Sequence, residues 1–381
     1  MGDTGVDNHG ETTIKVLHLI DNLKVGGAQE IILNLVRYSG GQFHHSVVCL
    51  YGSGPFINEL ENAGATVLSL AESKYSLFQI RRRLADVVSD INPDLVNLHL
   101  QYATILGLWW RRLFANCRIV VTLHALKEQL PRWFYPIFSK LICRADQVVV
   151  EDKIAFSQVL ATGYPKENVE LISIGTDYLD KIATFDIQKG RIRQEFGIPS
   201  GAPILLNVAR MHPAKGQADL LRVFATLLSK RTDCWLIVVG YGPEERRLKN
   251  LAEKLGIDRR VVFAGLRRDL HDFYFDSDCF VMTALDEGMG VVIYQAMAFG
   301  LPVVAYDAGS IHEVVTDGET GFLVPVGDRD QLYLKIKELL DAQQDQLHAI
   351  GSYARNLVEN DFSAEKMAKS YSSIYERVFQ K

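Results

Sequence analysis

The sequence predicts an α/β chain: two doubly wound, parallel-sheet domains facing each other across an interdomain cleft. Three observations carry this reading. Short apolar runs rich in Val, Ile and Leu recur along the whole chain. Segments with apolar residues at helical spacing separate most of them. The alternation runs through twice, on either side of a charged stretch, 180–202, that leads into Pro203. Continuously apolar strands alternating with amphipathic helices mark parallel sheets covered on both faces. A length of 381 residues suits two domains, each with a core of ordinary size.

In the first half, strands are expected at 14–20, 46–51, 66–70, 95–100, 118–124, 147–150 and 169–174, with helices at 28–38 and 80–88. In the second half they fall at 203–209, 235–239, 261–264, 279–284, 302–306 and 322–326, with helices at 217–228, 243–255, 290–299 and 330–340. The halves join near residue 185, in a stretch rich enough in charge, Pro and Gly to act as a hinge. The organisation is a leader 1–12, a first domain 13–184, a second domain 185–362 and a terminal helix 363–381. That helix carries Met367, Tyr371, Ile374, Tyr375 and Phe379 on one face. The leader, polar and glycine-rich, reads as disordered and not as a signal peptide, because no apolar run follows a basic start.

Composition bounds the function. Hydrophobic residues make up 48% and charged residues 23%, as in ordinary globular proteins. A net charge of −5 gives no reason to expect nucleic acid. The five cysteines are scattered without a C-x-x-C pair, which fits a reducing, cytoplasmic setting. No apolar run is long enough for a membrane-spanning helix.

Ligands of open α/β sheets bind beyond the carboxyl ends of the strands, so unusual residues there are the candidates. After the first strand, Gly26 and Gly27 precede a helix, where bare backbone and free N–H groups suit a phosphate. His124 ends the strand 118–124, as a donor to a hydroxyl or developing charge or as a structural residue. After 203–209 come Arg210 and Lys215 in a loop closed by Gly216; a guanidinium fork and an ammonium suit a diphosphate. Each such charge pair is worth about 4 kcal/mol at ~4 Å before desolvation. Gly240 and Gly242 read as a tight turn near the ligand, since the third glycine of a dinucleotide fingerprint is missing. The stretch 287–301 holds most information: Glu287 follows an apolar strand, Gly288, Met289, Gly290 and Val291 open a helix, and Gln295 lies eight positions on. Two other groups are set aside. Asp276 and Asp278 precede their strand and so lie at the wrong edge of the sheet for a metal site, and His44 and His45 point to opposite faces. No metal site is expected.

Taken in order, these motifs resemble the retaining glycosyltransferases of family 4, whose GT-B fold has two facing Rossmann-like domains. The resemblance covers nearly the whole chain after the leader. It rests on Val-Gly-Gly-Ala-Gln-Glu (25–30), Pro-Asp-Leu-Val-Asn-Leu-His (93–99), Thr-Leu-His (122–124), Ala-Arg…Lys-Gly (209–216), Val-Val-Gly-Tyr-Gly-Pro (238–243), Phe-Ala-Gly (263–265), Glu-Gly-Met-Gly (287–290), the run 296–305, Glu313-Val-Val and Thr-Gly-Phe-Leu-Val (320–324). It implies transfer of a sugar from a UDP- or GDP-sugar donor to a glycan or lipid-linked acceptor, with retention at the anomeric carbon and no cofactor or metal. Arg210 and Lys215 would neutralise the diphosphate. Glu287 would hold donor-sugar hydroxyls, and the N–H groups of Met289, Gly290 and Val291 would cradle sugar and phosphate. Gly26 and Gly27 would close over the phosphates, Gly265 and Leu266 would lie near the base, and His124 beside the donor sugar. The terminal helix would cross back onto the first domain.

The family usually has a second glutamate where Gln295 stands, so a donor-binding but catalytically silent protein stays open, as does a sugar-nucleotide epimerase of the same fold. Aromatic and basic segments at 108–114 and 130–141, with Arg81, Arg82 and Arg83, suit either a packed core with solvated arginines or peripheral docking on the inner face of an anionic membrane.

Overall fold

The computed structural model describes residues 13–24, 26–52, 54–71, 76–124, 135–287 and 290–381. The leader 1–12, residues 130–134 of the second aromatic segment, and Gly288 and Met289 lie outside them. The chain divides into two compact units: 1–175 with 364–381, and 176–363.

Unit 1 contains a seven-stranded parallel sheet in the order β3-β2-β1-β4-β5-β6-β7. Its strands are β1 (Ile14–Ile20), β2 (Phe43–Cys49), β3 (Thr66–Ser69), β4 (Leu95–His99), β5 (Arg118–Leu123), β6 (Gln147–Val150) and β7 (Val169–Leu171). The central strands β1, β4, β5 and β6 are buried almost throughout, as predominantly apolar strands covered on both faces are. Helices α1 (Gly27–Tyr38), α2 (Phe56–Asn62), α3 (Leu77–Ile91), α4 (Gln101–Trp109), α5 (Tyr135–Ile142) and α6 (Lys153–Ala161) connect the strands. The last helix of the chain, Ala364–Phe379, packs along α1. It buries Met367, Tyr371, Ile374 and Tyr375. Its tyrosine hydroxyls reach into the sheet, Tyr375 accepting from Asn97 Nδ2 at 2.8 Å and Tyr371 donating to Thr122 at 3.4 Å.

Unit 2 contains a six-stranded parallel sheet in the order β10-β9-β8-β11-β12-β13. These strands are β8 (Ile204–Val208), β9 (Trp235–Val239), β10 (Val261–Gly265), β11 (Cys279–Met282), β12 (Val303–Tyr306) and β13 (Gly321–Val324). The chain passes between the units at Gly175–Thr176 rather than near residue 185. The stretch expected as a hinge is built into unit 2. Helix Arg191–Phe196 starts where the Asp276 carboxylate accepts from Gly190 N at 2.7 Å and Ile192 N at 2.9 Å. Asp278 accepts from Ile204 N at 2.8 Å and pairs with Arg193. Both aspartates therefore tie the amino edge of the sheet together.

Both sheets reverse direction once. In unit 1 the order turns between β1 and β4, in unit 2 between β8 and β11. At such a switch point the two following loops diverge and leave a crevice outside the strands' carboxyl ends.

Candidate functional site

In unit 2, the two loops at the switch point carry Arg210 with Lys215, and Glu287. Three contacts bring these loops together. Leu285 N donates to Ala214 O at 2.8 Å, and Thr283 Oγ1 donates to Lys215 O at 3.1 Å. Gly216, at φ +61°, leaves room for the Thr283 carbonyl, which any Cβ would overlap. The result is a Lys215 Nζ–Glu287 Oε2 ion pair of 2.5 Å, with both side chains more than four-fifths covered. Arg210 remains exposed. An ammonium has three donors and the carboxylate uses one, so Lys215 can hold Glu287 and still offer hydrogens to an anion.

The Gly240–Gly242 turn supports the neighbouring loop. It lies against the Arg210 loop: Met211 N donates to Tyr241 O at 3.0 Å and Glu244 N to Met211 O at 3.1 Å. A Cβ on Gly240 would overlap Ala209 O, and one on Gly242 would overlap Met211 O. These glycines set the backbone that carries Arg210.

Helix Val291–Ala298 begins after Gly290, which caps it at φ +57°. Ile293 N donates to the cap's own carbonyl, Gly290 O, at 2.8 Å, and the N–H groups before it have no acceptor within the helix, as at every helix N-terminus. Gln295 points inward and is 1% exposed, with Tyr274 donating its hydroxyl to Oε1 at 3.0 Å. Gly265, at φ +69°, ends β10 beside a register shift, and Leu266 follows exposed. Arg267 then anchors that loop on Glu195 and Asp269, and its guanidinium holds the Asp269 carboxyl below the ordinary value.

Gly309 was not legible as a site residue. It lies in the loop after β12 at φ +58°, and a Cβ there would run into the carbonyl oxygen of Glu287. Gly309→Ala is therefore expected to push Glu287 away from Lys215. Stability of unit 2 should fall by more than ~1 kcal/mol in urea melts. Ligand binding should weaken with it. Unchanged melting and binding would refute this placement of Glu287.

In unit 1, Gly26 has extended backbone at φ −179° and precedes α1. Gln29 folds back beside it and donates to Asn22 O at 2.8 Å. The Asp21 carboxylate accepts from Ala103 N at 2.6 Å and Tyr102 N at 3.2 Å, capping α4, and burial raises its pKa. Leu100 sits between β4 and α4 at φ +63°, a region that costs a non-glycine residue about 1–3 kcal/mol.

His124 is held on both sides. Nδ1 lies 2.5 Å from Glu151 Oε1, and Nε2 lies 3.2 Å from His99 Nδ1. Glu151 and His99 were missed in the sequence, although each stands at or just past the end of its strand, the position used to select His124. Among the described residues no group of three His, Cys, Asp or Glu side chains converges on a point where a metal ion could sit.

Two parallel α/β sheets, with charged and glycine-rich loops at their switch points, define a protein of the GT-B class. Comparison with known proteins agrees. The family described as "Glycosyltransferase Family 4" matches residues 25–178, and "Glycosyl transferases group 1" matches 188–357. N-acetyl-alpha-D-glucosaminyl L-malate synthase of Bacillus anthracis is 26% identical over 317 residues, 80% of this chain and 81% of that protein. GDP-mannose-dependent alpha-(1-6)-phosphatidylinositol monomannoside mannosyltransferase of Mycolicibacterium smegmatis is 32% identical over 205 residues, 51% of this chain and 53% of that one. Among solved structures, Anabaena Alr3699/HepE in complex with UDP and glucose superposes with a TM-score of 0.83 at 24% identity, covering 96% of this chain and 100% of that one. The chain belongs to the family 4 glycosyltransferases and has the GT-B fold.

Proposed function

We propose that this glycosyltransferase moves a sugar from a nucleotide-diphosphate donor to a glycan or lipid-linked acceptor, with retention, in the synthesis of a cell-envelope polysaccharide or glycolipid. The Lys215–Glu287 pair at the switch point of unit 2 carries the reading. It sets a cation for a diphosphate and a carboxylate for sugar hydroxyls side by side, and Arg210 adds a guanidinium on the same loop. Relatives named for UDP, glucose and GDP-mannose support the class of donor.

In this reading Arg210, Lys215 and the N-terminus of helix Val291–Ala298 take up the charge that develops on the leaving diphosphate. That is the work a divalent metal does in other transferases, so turnover should persist with a chelator present. The acceptor attacks from the face the diphosphate leaves, through an oxocarbenium-like state, and a phosphate oxygen takes its proton. Glu287 orients the sugar, and Gly265–Leu266 flank the base.

Gln295 bears on the silent alternative. It is a buried acceptor for Tyr274, so it is accommodated in the fold without a ligand. The natural chain should therefore be active, with Gln295→Glu changing donor affinity and not switching activity on. A thermal-shift screen of UDP-, GDP- and ADP-sugars, followed by transfer assays on both proteins, tests this. Activity only in Gln295→Glu would establish the silent reading, and product from donor alone would establish an epimerase.

The protein is proposed to work in the cytoplasm, peripheral on the inner face of the membrane. No helix among the described residues is long and apolar enough to cross a bilayer. Leu77 and Phe78 are exposed on α3, one turn before exposed Arg81 and Arg82, and Trp109 is exposed at the end of α4. Rings and arginines together suit an anionic headgroup layer. Binding to anionic vesicles at low salt, weakened in Phe78→Ser, is expected; absence of sedimentation would remove the idea.

A further inference from the structure

Unit 1 contains an unbroken row of ring-to-ring hydrogen bonds. Ser39 Oγ meets His45 Nε2 at 2.6 Å, and His45 Nδ1 meets His18 Nε2 at 2.9 Å. His18 Nδ1 meets His99 Nε2 at 3.0 Å, His99 Nδ1 meets His124 Nε2 at 3.2 Å, and His124 Nδ1 meets Glu151 Oε1 at 2.5 Å. Each of the three links between rings joins Nδ1 of one ring to Nε2 of the next.

The register explains the row. His18 is paired with Val47, two residues beyond His45. Asn97, paired with His18, lies two residues before His99, and Thr122, paired with His99, lies two residues before His124. Each step to the next strand thus climbs two residues on the same face. The ring centroids lie 5.2, 5.3 and 5.5 Å apart in turn, so the row climbs steadily along the strands as it crosses them. The row therefore starts near the amino edge of the sheet, at the C-cap of α1, and ends at the carboxyl edge, where ligands of this fold bind.

The groups beside the row lie on its own strands and on the last helix. Tyr375 of the helix Ala364–Phe379 stands edge-on to His18 with centroids 6.5 Å apart, and its hydroxyl is used by Asn97. Tyr371 of the same helix approaches Thr122 and Glu151. His44, next to His45, faces solvent. Glu151 bonds into the row through its carboxylate, at His124 Nδ1.

We propose that this row is a proton relay that loads His124 from the Ser39 end, with Glu151 holding the proton there as an ion pair. A carboxylate only accepts, so His124 Nδ1–H donates to it and His124 Nε2 must accept from His99. That fixes every ring in turn as the Nδ1–H tautomer. A solvent proton taken up by Ser39 Oγ, as its own hydrogen moves to His45 Nε2, makes His45 pass its Nδ1 proton to His18. His18 passes its own to His99, and His99 to His124. The end state has one added proton, on His124, which is now an imidazolium facing Glu151. His45, His18 and His99 are neutral again as Nε2–H tautomers. All five hydrogen bonds persist, four of them reversed. Burial keeps the pKa values of His18 and His99 well below the ordinary value and that of His45 at about 4, so the inner rings transmit the charge without storing it.

The relay deepens the transferase reading, because it lets His124 take up a proton while a ligand covers the carboxyl edge. Its test needs no substrate, so the two readings stand or fall apart. The full chain is labelled with 15N-histidine, and ring tautomers are followed by long-range 1H–15N correlation as pH falls. Four signals are expected to move at one midpoint: His124 to the doubly protonated form, and His45, His18 and His99 from Nδ1–H to Nε2–H. Glu151→Gln should lower that midpoint by about one pH unit or more, a tenfold or greater loss of proton affinity. In His99→Leu, His18 and His45 should keep their tautomers while His124 titrates. If that variant does not fold, the titration of the natural chain decides alone. Inner rings that keep one tautomer throughout, or that each take up their own proton, would overturn the relay.

Discussion

Unit 1 is expected to lose stability steeply as the pH falls below 6.5. His18 and His99 are fully buried and His45 nearly so, and burial pushes all three pKa values down from 6.5, that of His45 to about 4. The unfolded chain takes up these protons at its ordinary value and the folded chain does not. Below 6.5 the unfolded state therefore binds more protons, and stability falls with pH. The full stability is present above 6.5 and is lost progressively down to each folded pKa. For His45 the gap, 6.5 minus 4, corresponds to about 3 kcal/mol. His18 and His99 act in the same direction, each at up to about 1.4 kcal/mol per pH unit. The sum approaches the whole stability of a typical domain, about 5–15 kcal/mol. Asp21 works the other way, because burial raises its carboxyl, but it is one group against three. Urea melts of the full chain at about pH 7 and about pH 5 should show the unit 1 transition moving to much lower denaturant. Equal midpoints would mean that the three rings are charged or hydrated in the folded protein.

The second large effect is expected at Lys215. Lys215→Ala removes the cation nearest Glu287 and leaves that carboxylate partly covered without its partner. Transition-state charge on the diphosphate then loses one donor and gains a repelling neighbour. Loss of one such donor lowers kcat by about 10²–10³-fold. The double variant Lys215→Ala/Glu287→Ala separates the two parts. It should recover nucleotide diphosphate affinity relative to Lys215→Ala, because the repulsion is gone, while sugar transfer stays low. Lys249, paired with Glu245 on an exposed helix of the same unit, is the control. Its replacement by Ala should leave turnover unchanged, since exposed pairs of this kind contribute little. Full activity in Lys215→Ala would show that the pair is structural.

The strands were legible because their signal is local. Ile14–Ile20, Gln147–Val150 and Trp235–Val239 are mostly apolar runs, and their bounds in the structure are those read from the sequence. Ends were less legible where pairing and not hydropathy decides. The run 322–326 stops pairing at Val324, before Pro325, which has no N–H to donate. Helix α4 went unread because it is apolar on several sides, with Ala103, Leu106 and Leu108 all buried, and so has no stripe. Helix Gln344–Asp361 has the opposite difficulty, being mostly polar.

The site was legible only where a residue announces itself beside a strand end. Arg210, Lys215 and Glu287 could be picked in that way, but not the fact that Lys215 and Glu287 touch. That contact depends on two loops distant in sequence, and on Gly216 and Gly309 allowing backbones to close. The histidine row needs still more. It follows from strand order and register together, and neither can be read from six side chains scattered between His18 and Glu151. Gln295 illustrates the same limit: its departure from the family pattern is plain in sequence, whereas its burial against Tyr274 is a property of the packed helix.

The most direct test of the central claim is to follow the anomeric proton by NMR while the protein consumes an α-linked UDP- or GDP-sugar, with a chelator present. Donor turnover at Lys215–Glu287 that yields an α-linked product is expected. A β-linked product, or turnover that stops when metal is removed, would contradict it.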